Sequence, residues 1–194
     1  MKGRESGMPD EAYWSSFFEP EGMLDRLSVV AGAADNIVEF GCGYGTFTFP
    51  AARRTRGLVS ALDIEPEMVA LVQRKAEGLG LGNVRAAVRD FVAHGTGLKD
   101  GSQGHAMIFN LLHIEEPVAL LREAHRILQP GGTLSVIHWR SDIETPRGPS
   151  LSIRPTPAQC MAWMTEAGFG PIRPVDLQPC TPYHFGLVAQ QQIV

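Results

Sequence analysis

Strand-like and helix-like segments alternate through the first 140 residues of the chain, and nothing else in the sequence constrains the fold as tightly. Asn36–Phe40, Leu58–Leu62, Val84–Val88, Ala106–Phe109 and Thr133–Trp139 read as five strands. Between them, Thr46–Arg56, Pro66–Gly78 and residues 116–129 carry apolar residues at helical spacing. Pro66 suits a first helical position, where its missing N–H is not needed. Pro130-Gly131-Gly132 supplies the turn chemistry to end the helix before it. The runs from Leu58 and Thr133 are mostly apolar without clean alternation, as expected for strands covered on both faces. That pattern predicts an α/β fold, a mostly parallel sheet flanked by helices. Upstream, residues 19–32 read as a helix with Met23, Leu24, Leu27, Val30 and Ala31 apolar. Downstream, residues 158–167 read as a helix with Met161, Trp163 and Met164 toward the core, and 171–178 and 183–193 as two final strands.

The 194 residues suit a single domain. The net charge is −4, which offers no general basic field for nucleic acid. Arg53, Arg54 and Arg56 read as a solvated helix end. Three cysteines without a CxxC pair argue against a disulfide framework or a zinc site, and no metal is expected. The N-terminus opens on charges rather than an apolar core, so no signal peptide is expected. No apolar run reaches the ~18 residues of a membrane span. The expectation is a cytoplasmic protein.

In an open parallel sheet, ligands bind beyond the carboxyl ends of the strands, so the residues just after each strand are the candidates. After the first strand comes Glu39-Phe40-Gly41-Cys42-Gly43-Tyr44-Gly45. Its glycines permit a tight turn and bring backbone N–H groups close to a ligand. The spacing is GxGxG, not the GxGxxG of a dinucleotide fingerprint. Asp63 ends the second strand, 22 residues beyond Gly41. Its carboxylate either accepts both hydroxyls of a ribose or caps the next helix. Asp90 follows the third strand with Phe91 beside it; the pair either receives an adenine or forms an Asx-turn.

These residues carry a family resemblance. Val38-Glu39-Phe40-Gly41-Cys42-Gly43-Tyr44-Gly45 resembles the first motif of class I S-adenosylmethionine-dependent methyltransferases. Ala61-Leu62-Asp63-Ile64-Glu65-Pro66-Glu67-Met68 resembles their second motif, helix methionine included. Asn110-Leu111-Leu112-His113-Ile114 resembles the segment after strand four. Residues 122–134, with Gln129-Pro130-Gly131-Gly132, resemble the helix-turn-strand that follows. The match covers roughly residues 30–140 and is closest to the branch that includes the quinone-biosynthesis methyltransferases. The family implies a Rossmann-like, seven-stranded sheet with its last strand antiparallel. It implies S-adenosyl-L-methionine as cofactor, held by Glu39, Gly41, Gly43, Tyr44, Gly45, Asp63, Ile64, Met68, Asp90, Phe91, Asn110 and Leu111. Departures are also present. Gly104-His105 stands where strand four usually opens with aspartate. No Asn-Pro-Pro-Tyr-type segment follows strand four, which disfavours exocyclic amino methylation of bases.

The expected function is methyl transfer to a small-molecule acceptor, with a homodimer an allowed assembly. A nicotinamide-dependent oxidoreductase and a cofactor-binding module without catalysis are the alternatives. His113 after strand four and His138 at the end of strand five are the candidate bases, because histidine titrates near neutrality. The alternative is a structural histidine in each case. His94, His105 and His125 read as surface or loop residues, and His184 with Tyr183 as a candidate pocket wall. Tyr13, Trp14, Phe17 and Phe18, within residues 1–18, form either a lid or a staple to the core. Trp139 and residues 141–157, with Arg147 between Arg140 and Arg154, are read either as meeting the acceptor, the arginines suiting an anion, or as leading into a solvated loop.

Overall fold

The computed structural model describes residues 8–29 and 35–192. Val30, Ala31 and Ile193, read above as helix and strand residues, and the first seven residues of the N-terminal arm lie outside the described residues. A seven-stranded sheet has the order β3-β2-β1-β4-β5-β7-β6. Its strands are β1 (Ile37–Phe40), β2 (Val59–Asp63), β3 (Val84–Val88), β4 (Gln103–Phe109), β5 (Leu128–Trp139), β6 (Phe169–Val175) and β7 (His184–Gln191). Strands β1 to β5 pair in parallel, and β7 runs antiparallel to both β5 and β6. The sheet is the one the family implied.

Successive strand residues alternate between two cores. Ile37, Ala61, Met107, Phe109 and Trp139 face one core, packed by α1 (Glu11–Ser15), α2 (Pro20–Arg26), α3 (Thr48–Arg54) and α4 (Pro66–Gly78). Val38, Phe40, Leu62, Ile108 and Val136 face the other, under α5 (Phe91–His94), α6 (Pro117–Ile127) and α7 (Pro157–Glu166). Burial on both faces is why the parallel strands read as apolar runs. Proline stands in the first turn of α2, α4, α6 and α7, where it costs no intrahelical bond. Thr156 and Gln159 add a reciprocal capping box to α7.

Several expectations needed correction. The fourth strand begins at Gln103, three residues earlier than expected, with a register irregularity between Gln103 and His105. His105 is therefore a core residue rather than a loop one. Ser135 Oγ donates to Leu27 O (3.2 Å) and so accepts His105 Nε2–H (2.8 Å). His105 Nδ1 then accepts the Thr133 hydroxyl (2.6 Å), and burial lowers the imidazole to about 4. The helix before Pro130 ends at Ile127, and the extended chain of β5 already runs through Pro130-Gly131-Gly132. Arg54 is not solvated. It is buried and holds α2 to α3 through Glu21, Asp25 and the Val29 carbonyl, while Arg53 and Arg56 are exposed. Met164 is core, but Met161 and Trp163 are only half-buried. No helix among the described residues is long and apolar enough to cross a membrane.

Candidate active site

The strand order reverses between β1 and β4, and the carboxyl ends of β1 to β4 meet there. A cavity of about 370 Å³ opens at that point, within the range of small-molecule sites. From β1 and its loop, Glu39, Gly41 and Gly43 line it. Asp63 and Ile64 line it from the end of β2, Asp90 and Phe91 from β3, and Asn110, Leu111 and His113 from β4. Four of the sequence candidates lie elsewhere. Tyr44 and Gly45 line a separate groove beside α1, α3 and α4, Met68 sits half-buried on α4, and His138 is fully buried behind His113.

The glycine loop and Asp63 form one unit. Asp63 Oδ2 accepts the Gly43 N–H at 2.8 Å, and Oδ1 accepts the Glu65 N–H at 3.0 Å. The carboxylate thus does what a cap does and still faces the cavity, with lone pairs beyond those two bonds. Burial raises the Asp63 carboxyl, and the backbone donors of Glu65 and Gly43 oppose that rise. Gly45 has φ +81°, and a Cβ there would stand 2.6 Å from the Phe49 ring. Only glycine closes this turn, so Gly45 shapes the loop without facing the cavity. The Tyr44 hydroxyl donates to the Pro9 carbonyl at 2.6 Å and ties the N-terminal arm to the loop.

Two buried polar atoms on the cavity wall, Thr46 Oγ1 and Asn110 Oδ1, have no protein partner among the described residues. Buried polar groups are ordinarily satisfied, so both point to a ligand. Asn110 also takes φ +60° while its N–H bonds the Ile137 carbonyl at 2.7 Å. A non-glycine residue held in the left-handed region costs about 1–3 kcal/mol and marks functional sites.

Glu39 is buried and receives the Thr48 hydroxyl. Burial pushes its carboxyl up to about 8, helped by the Asp63 charge and opposed by Thr48. The raised value lies above the ordinary 4.5, so the folded state holds a proton that the unfolded chain has lost between these pH values. The stability this contributes is fully present below about 4.5 and lost as pH rises through about 8. Melting curves from pH 5 to 8 are therefore expected to fall more steeply for the native chain than for Glu39→Gln. Parallel profiles would refute this assignment. The Cys42 thiol is pushed far above its usual range by burial and by the carboxyls of Glu39 and Asp63, so it does not act as a nucleophile at neutral pH.

At the other end, His113 and His138 form a directed pair. His138 Nδ1 lies 3.1 Å from the Trp139 carbonyl, which can only accept, so Nδ1 carries the proton. Burial lowers His138 to about 3, so it is neutral and its Nε2 is an acceptor. His113 Nδ1, 3.3 Å away, then donates to it. Burial, with the Arg154 charge second, lowers His113 as well. His113 is left neutral with its lone pair on Nε2. His184 is buried, lowered to about 3 by burial, and stacked 4.0 Å from Trp139 rather than lining the cavity.

The cavity is also walled by Trp14 from the arm and by Trp139 and Arg147, all read from the sequence as candidates, and by Phe47 and Phe109, which no motif announced. The aromatic arm divides between its two readings. Phe17 and Phe18 are buried in the core, Trp14 faces the cavity with Met8, and Tyr13 is exposed. Asp90 likewise caps α5 by accepting the Ala93 N–H at 2.9 Å while it lines the cavity.

The profile of the methyltransferase domain family matches residues 37–132, the stretch that contributes the glycine loop, Asp63, Asp90 and the Asn110–His113 segment. The chain belongs to the class I S-adenosylmethionine-dependent methyltransferases. A crystal structure of an S-adenosylmethionine-dependent methyltransferase from Aquifex aeolicus superposes on this chain with a TM-score of 0.78 over 93% of each chain, at 24% identity. The aklanonic acid methyltransferase of Streptomyces sp. (strain C5) is 30% identical over 128 residues, 61% of this chain and 54% of that protein. A ubiquinone biosynthesis O-methyltransferase of Xanthomonas oryzae pv. oryzae is 31% identical over 116 residues, 57% of this chain and 46% of that protein. The chain spans about half the length of the curated relatives it matches.

Proposed function

We propose that this chain transfers a methyl group from S-adenosylmethionine to a small-molecule acceptor in the cavity at the ends of β1 to β4. The unpartnered Oδ1 of Asn110, a residue that lines that cavity with its backbone held in the left-handed region, carries the reading. It is an acceptor in search of a cation, which suits the ammonium of a bound methionine moiety.

S-adenosylmethionine supplies a methyl group on a positively charged sulfur, a leaving group ready for direct displacement. The chain holds and aligns. Gly41 and Gly43 bring backbone close to the methionine part, with Leu111 packed against Gly41 and Glu39 beneath the loop. Asp63 accepts the ribose hydroxyls, and its charge would repel a 2′-phosphate. Ile64 and Phe91 cover the adenine, and Asp90 accepts its exocyclic amine. Tyr44 and Gly45 act one step removed, through the arm and the loop's shape. Met68 stands outside the cavity and is given no role. His113 is the base where the acceptor has a proton to lose. The net charge of −4 favours a small molecule over nucleic acid. Free Cys42, Cys160 and Cys180 suit a reducing cytoplasm.

Thermal unfolding with S-adenosylhomocysteine and, separately, with NAD tests the reading. A ligand at ~100 times its Kd adds about 2.7 kcal/mol of stability. Stabilisation by S-adenosylhomocysteine alone is expected; stabilisation by NAD alone would overturn it.

A further inference from the structure

The acceptor end of the cavity is built for one kind of nucleophile. Trp14, Phe47, Phe109 and Trp139 give it aromatic walls, with Phe47 and Phe109 packed edge-to-face on each other at 4.8 Å and Trp14 and Trp139 at 6.4 Å. Aromatic side chains favour a further aromatic ring packed edge-to-face or offset against them. His113 stands on the same wall, with the tautomer that leaves Nε2 able to take a proton. Behind the wall lies Arg154, buried, with its guanidinium donating to the carbonyls of Pro149 (2.7 Å), Arg140 (2.9 Å) and Arg147 (3.3 Å). A Cβ on Gly148, which lines the cavity, would stand 3.1 Å from Arg154 Nη2, so the guanidinium packs directly behind Gly148 without itself lining the cavity. Carbonyl dipoles leave its charge uncancelled, and a buried net charge favours an anion forming nearby.

We propose that the acceptor is an aromatic hydroxyl: His113 is its catalytic base, His138 positions that base, and Arg154 stabilises the oxygen anion as it forms. The inference rests on the methyl-transfer reading above. The hydroxyl oxygen forms a bond to the methyl carbon as the carbon–sulfur bond breaks. Sulfur keeps the bonding pair and becomes a neutral thioether, and the hydroxyl proton passes to His113 Nε2. His138 does not touch the acceptor. Its Nδ1–H is fixed by Trp139 O, so its Nε2 can only accept, and this keeps the proton of His113 on Nδ1. A carboxylate acceptor would have no proton to lose and no use for that relay.

The test is a panel of naphthols, dihydroxybenzenes and hydroxybenzoates, with ring-matched aromatic acids and amines, assayed by release of S-adenosylhomocysteine. Calorimetric binding of S-adenosylhomocysteine is measured on every variant. The expected result is turnover of hydroxyl compounds. His113→Phe then lowers kcat on a naphthol by about 100-fold, a usual size for loss of a base. The same variant loses no more than about threefold on a nitronaphthol, which is already ionised at neutral pH. His138→Leu behaves like a weaker His113→Phe, and His138→Gln, whose side-chain oxygen still accepts from His113, recovers most of the rate. Turnover of acids or amines alone, no turnover of any hydroxyl compound, or an equal His113→Phe defect on both naphthols would each overturn the inference. Intact cofactor binding in those cases leaves the methyl-transfer reading standing; absent binding in the native chain removes that reading itself.

Discussion

Asp63→Ala is expected to weaken binding of S-adenosylhomocysteine by at least ~100-fold, or about 2.7 kcal/mol. The carboxylate joins the glycine loop to the turn after β2 by accepting the N–H groups of Gly43 and Glu65. Alanine leaves both donors without that partner. A buried donor left unsatisfied costs about 1–3 kcal/mol, so the unliganded protein should also lose stability. Asp63→Asn separates the two effects. Its amide retains one acceptor oxygen and turns an N–H toward a backbone N–H, so it keeps part of the stability but not the ribose contact. Calorimetry reads the binding and urea titration the stability. Native-like affinity in a folded Asp63→Ala protein would show that the cofactor does not rest on Asp63.

Trp139→Ala should cost about 3–5 kcal/mol of stability, the usual range for deleting a buried large aromatic. Trp139 is 2% exposed at the end of β5. Its ring meets Phe17 at 5.5 Å, His184 at 4.0 Å and the Arg154 guanidinium at 5.9 Å. These contacts come from the N-terminal arm, β7 and the loop after β5, so one side chain joins three distant segments. The same ring is a wall of the acceptor end, so the variant should lose acceptor turnover more than cofactor affinity. Trp139→Phe should recover much of the stability. A measured loss below about 1 kcal/mol for Trp139→Ala would mean that the arm is not held as described.

The cavity wall at the ends of β1 to β4 was legible in the sequence because sheet topology orders it. Residues that directly follow parallel strands are brought together at the switch point, whatever the rest of the chain does. Gly41, Asp90 and Asn110 follow a strand and Asp63 ends one, and all four line one cavity. Residues at successive positions face opposite sides, so His138 and Trp139 could not both face the acceptor. Trp139 packs in the core with Phe109, and His138 points to the opposite face, where it supports His113 from behind.

The remaining differences have local physical causes. Nothing in the glycine-rich run before Ala106 showed that the strand already starts at Gln103, and so His105 read as exposed. Arg54 looked solvated because its partners Glu21 and Asp25 lie on another helix, about 30 residues upstream. Trp14 and Arg147 each carry a second reading in the sequence, core or solvent, and Phe47 has no motif; the three reach the cavity from segments with no shared spacing, so only the folded chain brings them together. Asp63 and Asp90 offered a choice between capping and ligand binding that the fold does not force. Each carboxylate caps with some of its lone pairs and faces the cavity as well.

A crystal structure grown with S-adenosylhomocysteine tests the central claim most directly. The account predicts ligand density in this one cavity, with the ribose hydroxyls within about 3 Å of Asp63, a hydrogen-bond distance. It also predicts the adenine against Phe91 and the amine on Asn110. Density elsewhere, or in the cavity with the ribose turned away from Asp63, would contradict it.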